Sequence, residues 1–273
     1  MPYPAHPELI ELSGPDATAF AQAQFCNDVL ALAPGQSQLN AWLNPQGRVR
    51  RLFHLLRAGE SRYLLALRGG EAAPLLAPLR MFVLRLKVQV QQLQGWHWQE
   101  IAGDNAAAAD DSWRLALPGQ RALLLQATAP TVAALDGDGL LHDLDAGLPW
   151  LPTHALEQLL PSWLEFARLG AISHSKGCYP GQEIVARLHF RGGGDKRVLA
   201  CLESAQEPAG GELRDTSGAE AGLLLQSCRL PSGSWRSLAS VRRELAAAGT
   251  PLLCGGVSGL QAIEPGWSRA AEQ

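Results

Sequence analysis

Lys176-Gly177-Cys178-Tyr179-Pro180-Gly181-Gln182-Glu183 sets one thiol two residues after a lysine and two residues before a Pro-Gly turn. Ile184-Val185-Ala186-Arg187 then resumes a regular apolar pattern. A cysteine on a tight loop, beside a cation and just ahead of a new element, is the setting that lowers a thiol pKa. The alternative is a buried cysteine that packs as a small hydrophobe. Polar, turn-forming neighbours favour the functional reading.

Working outward, the 273 residues are 47% hydrophobic and 18% charged, ample for one large domain or two to three small ones. A net charge of −3 gives no global pull toward nucleic acid or anionic membrane. The eight tryptophans are expected in the core or at domain seams. Cys26, Cys178, Cys201, Cys228 and Cys254 are odd in number and contain no C-x-x-C. Spacing alone therefore predicts neither a disulfide framework nor a resident metal or cluster site, and a reduced, cytoplasmic compartment is the simple expectation. Residues 1–8 lack the basic-then-apolar order of a signal peptide, and no run of eighteen apolar residues exists.

Ser13-Gly14-Pro15-Asp16 reads as a helix start with Asp16 as cap, and Asn27-Asp28-Val29 as its end. Strands are predicted at Leu39–Leu43 and Arg48–Leu56 around the turn Asn44-Pro45-Gln46-Gly47, then at Tyr63–Leu67. Glu71–Arg80 reads as a helix with breaks at Pro74 and Pro78, and the alternation of Val83–Val90 as a half-wet strand. The theme repeats: strands at Trp113–Leu117 and Ala122–Gln126, a short helix at Ala129–Leu135, a loop at Asp136–Gly139, and an interrupted helix at Glu157–Leu169. Val198–Leu202, Glu212–Arg214, Ala221–Ser227 and Ser234–Val241 are short β-prone runs divided by Gly- and Ser-rich turns, the spacing of a small antiparallel barrel. The predicted fold class is α+β: residues 1–196 as two α/β halves split near 93–100, a barrel at 197–266, and a disordered tail at 267–273.

The octapeptide resembles the K-G-C-Y-x-G-Q-E signature of the YgfZ family, the folate-binding relatives of the glycine-cleavage T-protein (aminomethyltransferase). Leu169-Gly170-Ala171-Ile172-Ser173 resembles that family's L-G-G-I-S. Val185-Ala186-Arg187 resembles its V-A-R, and Arg191-Gly192-Gly193-Gly194-Asp195-Lys196-Arg197 its R-G-A-x-K-R. Weaker similarity runs over nearly the whole chain. The resemblance implies a T-protein-like folate-binding region followed by a small β-barrel, with tetrahydrofolate or a related reduced folate as ligand. It also implies assembly or repair of iron–sulfur clusters in client enzymes, including tRNA-thiomethylating ones. The partners implied are iron–sulfur client proteins or assembly factors, with neither nucleic acid nor membrane bound directly.

Residue by residue, the resemblance makes Cys178 the working thiol and Lys176 the cation that favours its thiolate. Gly177, Tyr179, Gly181, Gln182 and Glu183 shape the loop. One thiol cannot hold a cluster that needs four ligands, so Cys178 is a transient ligand completed by a partner. The transferases have G-G-V-x-D-D-L where this chain has Gly47-Arg48-Val49-Arg50-Arg51-Leu52-Phe53, without a carboxylate. An always-protonated guanidinium cannot replace that acid, which argues against aminomethyl transfer. Arg48, Arg50 and Arg51 otherwise read as exposed hairpin residues. Leu144-Asp145-Ala146-Gly147 matches the L-E-A-G whose acid grips the pterin, so Asp145 is either that grip or a plain helix cap.

Pro7 and Gly139 stand where the family's folate-pocket tryptophans are expected. Arg187, His189 and Arg191 share a face if their run is extended, making a folate-tail strip or a solvated face. His174 forms a conceivable pair with Cys178. Cys26 is expected to be a buried small residue. The leading reading is a folate-binding protein of iron–sulfur cluster assembly, not a T-protein-type enzyme. A tetrahydrofolate-dependent aminomethyltransferase and a non-catalytic scaffold with a structural cysteine stand as alternatives.

Overall fold

The computed structural model describes residues 6–102, 112–127, 137–192 and 196–269. In chain order the first region contains β1 (Leu9–Ser13), α1 (Ala17–Gln24), β2 (Ser37–Leu43), β3 (Val49–Gly59), β4 (Arg62–Leu67), α2 (Ala73–Met81) and β5 (Gln89–Leu93). The strands form one sheet in the order β2-β3-β4-β1-β5, with each neighbouring pair antiparallel. Both faces of this sheet are covered, so β4 reads as a continuous apolar run rather than an alternating one. Tyr63, Leu65 and Leu67 pack with Phe20 and Phe25 near α1 and with Leu75 and Leu79 of α2. Leu64 and Ala66 face the other way, onto a second sheet.

That sheet is β6 (His97–Ala102), β7 (Ser112–Leu117) and β8 (Arg121–Gln126), in the order β6-β8-β7. Trp98, Leu115, Leu123 and Leu125 form its buried face. Next along the chain come α3 (Gly137–Asp145) and α4 (Gln182–Arg191). The remaining strands are β9 (Arg197–Ser204), β10 (Glu212–Arg214), β11 (Glu220–Arg229), β12 (Trp235–Arg242), β13 (Leu252–Cys254) and β14 (Val257–Ile263), with α5 (Arg243–Ala247) and α6 (Gly266–Arg269). They close in the order β10-β11-β12-β9-β14-β13 around Leu202, Leu213, Val241 and Leu260. Closure removes every free strand edge from this unit. The predicted α+β class and carboxy-terminal barrel are both present.

A buried charge network ties the two sheets together. Arg68 donates to Asp143 at 2.5 Å, with both side chains fully buried. Arg121 donates to the second oxygen of Asp143 at 2.8 Å and to Glu100 at 2.7 Å. His54 lies 3.4 Å from Arg68, and burial, with the Arg68 cation adding, pushes its imidazole down to about 3. It is therefore the neutral acceptor in this network.

Several predicted elements differ in the structure. Val83–Val90 is not one strand: residues 82–86 form a turn, and the strand is β5. Pro74 falls in the first turn of α2, where its missing N–H is harmless, and Pro78 lies inside the helix without ending it. Glu157–Leu169 forms no α-helix. Pro152 and Pro161 each start a short 3-10 turn, Thr153–Ala155 and Pro161–Leu164, and left-handed backbone at Glu157 and Glu165 prevents either from extending. Asp16 does not cap α1 with its side chain; its carboxylate accepts the Lys87 backbone N–H instead. Asp28 caps the next 3-10 turn, Val29–Ala31. Gly137–Gly139 opens α3 rather than forming a loop. The predicted tail begins inside the fold, because Trp267 of α6 is buried in the main core cluster. The helix expected at Ala129–Leu135 lies outside the described residues.

Candidate functional site

Cys178 is the exposed cysteine; Cys26, Cys201, Cys228 and Cys254 are buried. It lies on the loop that enters α4, and that loop is braced from three sides. Lys176, itself buried, sends its ammonium to the Gln22 carbonyl at 2.5 Å and to the Phe25 carbonyl. These groups belong to the last turn and C-cap of α1, where unpaired carbonyls and the helix dipole favour a cation. The upstream arm is tied to the same place. Ser173 N–H donates to the Cys26 carbonyl, the Cys26 thiol donates to the Ala171 carbonyl, and Asn27 donates to the Gly170 carbonyl.

The third brace is the tip of the β2–β3 hairpin. Gly47 N–H donates to the Asn44 carbonyl, closing the predicted Asn44–Gly47 turn. Gly181 has φ 80°, and a Cβ there would run into the Asn44 carbonyl and the Gly47 backbone. Only glycine satisfies both the left-handed backbone and the close approach. Gln182 folds its amide back toward the Lys176 and Gly177 carbonyls, at 3.4 and 3.5 Å. Glu183 stands in the first turn of α4, where a carboxylate complements the helix dipole.

This geometry reassigns Lys176. Sequence reading makes it the cation beside the Cys178 thiolate, whereas its hydrogen bonds run to the end of α1. Burial pushes the Lys176 ammonium down to about 8, against the opposing pull of Cys26 and Asp28. Burial pushes the Cys26 thiol up to about 12, consistent with a protonated donor. Burial also raises Tyr179, whose ring lies 5.1 Å from the Lys176 nitrogen. The expected buried role of Cys26 holds, with a hydrogen-bonding duty added.

The basic strip does not form. Arg187, His189 and Arg191 lie on α4, not on an extended run, so Arg187 and Arg191 share a face while His189 points elsewhere. His189 instead stacks on His174, with ring centroids 3.7 Å apart and planes 8° from parallel. Burial and the neighbouring His189 lower the His174 pKa. His174 is thus engaged with an imidazole rather than oriented as a partner for Cys178.

Asp145 neither caps a helix N-terminus nor offers a free pair of oxygens. It ends α3, and its carboxylate accepts from Arg236 of the barrel at 2.7 Å, while Arg236 also pairs with Glu203. Asp145 lines an open cleft of about 850 Å³ with Glu100, Arg121, His142, Arg168 and Trp267. Neither Cys178 nor Arg187 nor Arg191 lines that cleft. Of the residues expected to hold a folate, Asp145 alone lines this cleft.

At the hairpin, the transferase carboxylate position holds cations that are partly or fully covered. Arg51 is 9% exposed against Gly70, which corrects the expectation of an exposed residue. Arg50 lies over the Trp42 ring and Arg48 over Trp163. Glu157 reaches the hairpin from another segment, but its carboxylate is engaged by Asn44 at 3.0 Å and Arg50 at 3.3 Å. Sequence reasoning missed Gln22, Phe25, Asn27 and Glu157 as supports, since backbone carbonyls and distant loops leave no local pattern. Among the described residues, no group of three His, Cys, Asp or Glu side chains could hold a metal ion.

Comparison with known proteins agrees with this frame. Residues 5–110 match the GCVT N-terminal domain family. A protein of Edwardsiella ictaluri named tRNA-modifying protein YgfZ is 28% identical over 230 residues, spanning 72% of this chain and 69% of its own. A Cryptococcus neoformans protein named iron-sulfur cluster assembly factor IBA57 homolog, mitochondrial, is 29% identical, spanning 71% of this chain and 64% of its own. The solved aminomethyltransferase T of the glycine cleavage system from Bartonella henselae superposes with a TM-score of 0.65 at 19% identity, over 96% of this chain and 84% of that one. The last likeness establishes a shared fold. The resemblance to the YgfZ family carried by the octapeptide thus extends over most of the chain.

Proposed function

We propose that this chain, similar to the YgfZ and IBA57 proteins over most of its length, serves iron–sulfur cluster assembly or repair, with consequences for tRNA modification. The finer reading is that Cys178 is the working thiol toward client proteins, including tRNA-thiomethylating enzymes. The observation that carries it is the one exposed cysteine thiol among the described residues, on a loop braced by Lys176, Gly181 and Gln182. On losing its proton to solvent, that sulfur supplies one soft ligand to iron. A cluster needs more ligands than one thiolate, so the remaining ones come from the client or from an assembly partner. The braces hold the loop so that the sulfur meets a partner without a large ordering penalty.

The aminomethyltransferase reading requires a free carboxylate at the hairpin. Arg51 occupies the matching position, and the Glu157 carboxylate is paired. A reduced folate remains a candidate ligand by resemblance alone. The deciding experiment replaces Cys178 with alanine and follows tRNA thiomethylation in cells. A clear fall is expected, and unchanged modification would overturn the thiol's role. Tetrahydrofolate-dependent ammonia release by the purified protein would restore the transferase reading.

A further inference from the structure

The turn after α2 exposes more apolar surface than its surroundings explain. Met81 is 75% exposed and Leu84 is 86% exposed, and Phe82 and Leu86 stand beside them in solvent. Single exposed apolar residues are ordinary, but four within six positions form a patch. Leu84 is held at φ 47°, a left-handed conformation that a branched side chain rarely adopts. The fold thus keeps a strained backbone that directs a leucine into water.

Along the chain, the charge carried by this turn and its flanks has one sign. Between Glu71 and Glu100 the chain contains no carboxylate, although the protein as a whole is acidic at −3. The same stretch carries Arg80, Arg85 and Lys87, all exposed. Arg80 is committed to the Val90 carbonyl, which leaves Arg85 and Lys87 as the outward cations. Asp16 reaches the turn from α1, and its carboxylate accepts the Lys87 backbone N–H.

The patch and the Cys178 loop lean on the same strand end. Phe82 meets the buried Trp42 ring edge to face at 6.1 Å. Trp42 bridges to Phe25, whose carbonyl holds Lys176. Two residues further along that chain, Asn44 abuts Gly181.

We propose that the turn Met81–Lys87 is the docking surface for the protein partner that meets Cys178, and that this partner presents an apolar pocket rimmed by Asp and Glu. The inference rests on the thiol reading above. Met81 and Leu84 are the apolar anchors, and Arg85 and Lys87 select for acidic surface. A second copy of this chain is a poor occupant, because a two-fold contact would bring two patches of the same positive sign together. An anionic membrane is also disfavoured, since surface attraction of that kind uses clusters of about four to eight cations and two are free here.

The test compares Met81→Ser/Leu84→Ser, Arg85→Glu/Lys87→Glu and Cys178→Ala in cells, reading tRNA thiomethylation, with thermal melts of each purified protein. Both surface variants are expected to melt like the parent protein or higher, yet to lower modification as far as Cys178→Ala does. Full modification in both surface variants, with loss in Cys178→Ala, overturns the docking surface alone. Full modification in Cys178→Ala overturns the thiol reading and the inference built on it. A photo-cross-linker placed at position 84 in cells is expected to capture a peptide carrying Asp or Glu beside apolar residues. Its yield should drop by about tenfold in Arg85→Glu/Lys87→Glu. Capture of this chain itself or of lipid, or a yield unmoved by the charge reversal, overturns the inference.

Discussion

The ammonium of Lys176 donates to the carbonyl of Phe25, joining the thiol loop to the end of a helix 151 positions earlier in the chain. Two effects oppose each other at this contact. The buried charge is costly, as the lowered Lys176 pKa indicates, while the α1 carbonyls gain a donor. Lys176→Met should therefore shift global stability by no more than about 1 kcal/mol in urea unfolding. Locally the brace is lost. Amide exchange over residues 173–179 should speed by about tenfold, the factor that ~1.4 kcal/mol produces. Unchanged exchange would mean that Lys176 does not hold the loop.

Two motif glycines should behave oppositely. Gly181→Ala meets both a left-handed φ and the Asn44 carbonyl, so it should destabilise by about 1–3 kcal/mol and separate the hairpin tip from the loop. Gly177 has no left-handed φ and open space around it. Gly177→Ala should stay within about 0.5 kcal/mol of the parent in the same unfolding measurement. Equal effects would show that the apposition is not the constraint.

His54 predicts an acid limb in the stability curve. Burial, then the Arg68 cation, lowers its pKa from 6.5 to about 3. Between those values the unfolded chain binds a proton that the folded chain refuses. Its contribution is present in full above pH 6.5 and is lost as pH falls toward 3, at about 1.4 kcal/mol per pH unit. His54→Gln, which keeps an acceptor for Arg68, should flatten this limb in pH-dependent urea titrations. An identical slope in the variant would contradict a neutral buried imidazole.

Asp145 is expected to matter to the barrel seam rather than to a pterin. Its pair with Arg236 is partly exposed, so Asp145→Ala should cost less than about 1 kcal/mol. Calorimetric titration with tetrahydrofolate should give the same result in the parent and the variant. Binding that disappears in Asp145→Ala would restore the residue to a ligand pocket.

Much of the frame was legible in the residues themselves. The Asn44–Gly47 turn, the strands on either side of it and the barrel were readable because Pro, Gly and β-prone runs act locally. Gln182–Arg191 misled because Arg187-Leu188-His189-Phe190-Arg191 alternates like a strand, while the helix is set upstream by the Gly181 turn and by Ile184, Val185 and Leu188. Val83–Val90 misled for the complementary reason: its alternation spans a turn that leaves Leu84 and Leu86 in water. The Cys178 loop was visible as a motif, but its supports were not. Gln22 and Phe25 contribute carbonyls, a group every residue carries, so no side-chain pattern announces them. The partners of Asp145 and Glu157 likewise come from segments far along the chain.

The braces of the Cys178 loop also bear on how the protein is made. The α1 carbonyls leave the ribosome early, and the lysine that occupies them arrives only after most of the chain has been translated. Until then that helix end stays solvated, and the sheet around it must hold together without its plug. The Cys178 sulfur is therefore positioned late in synthesis, after the α1 end that braces its loop has been made.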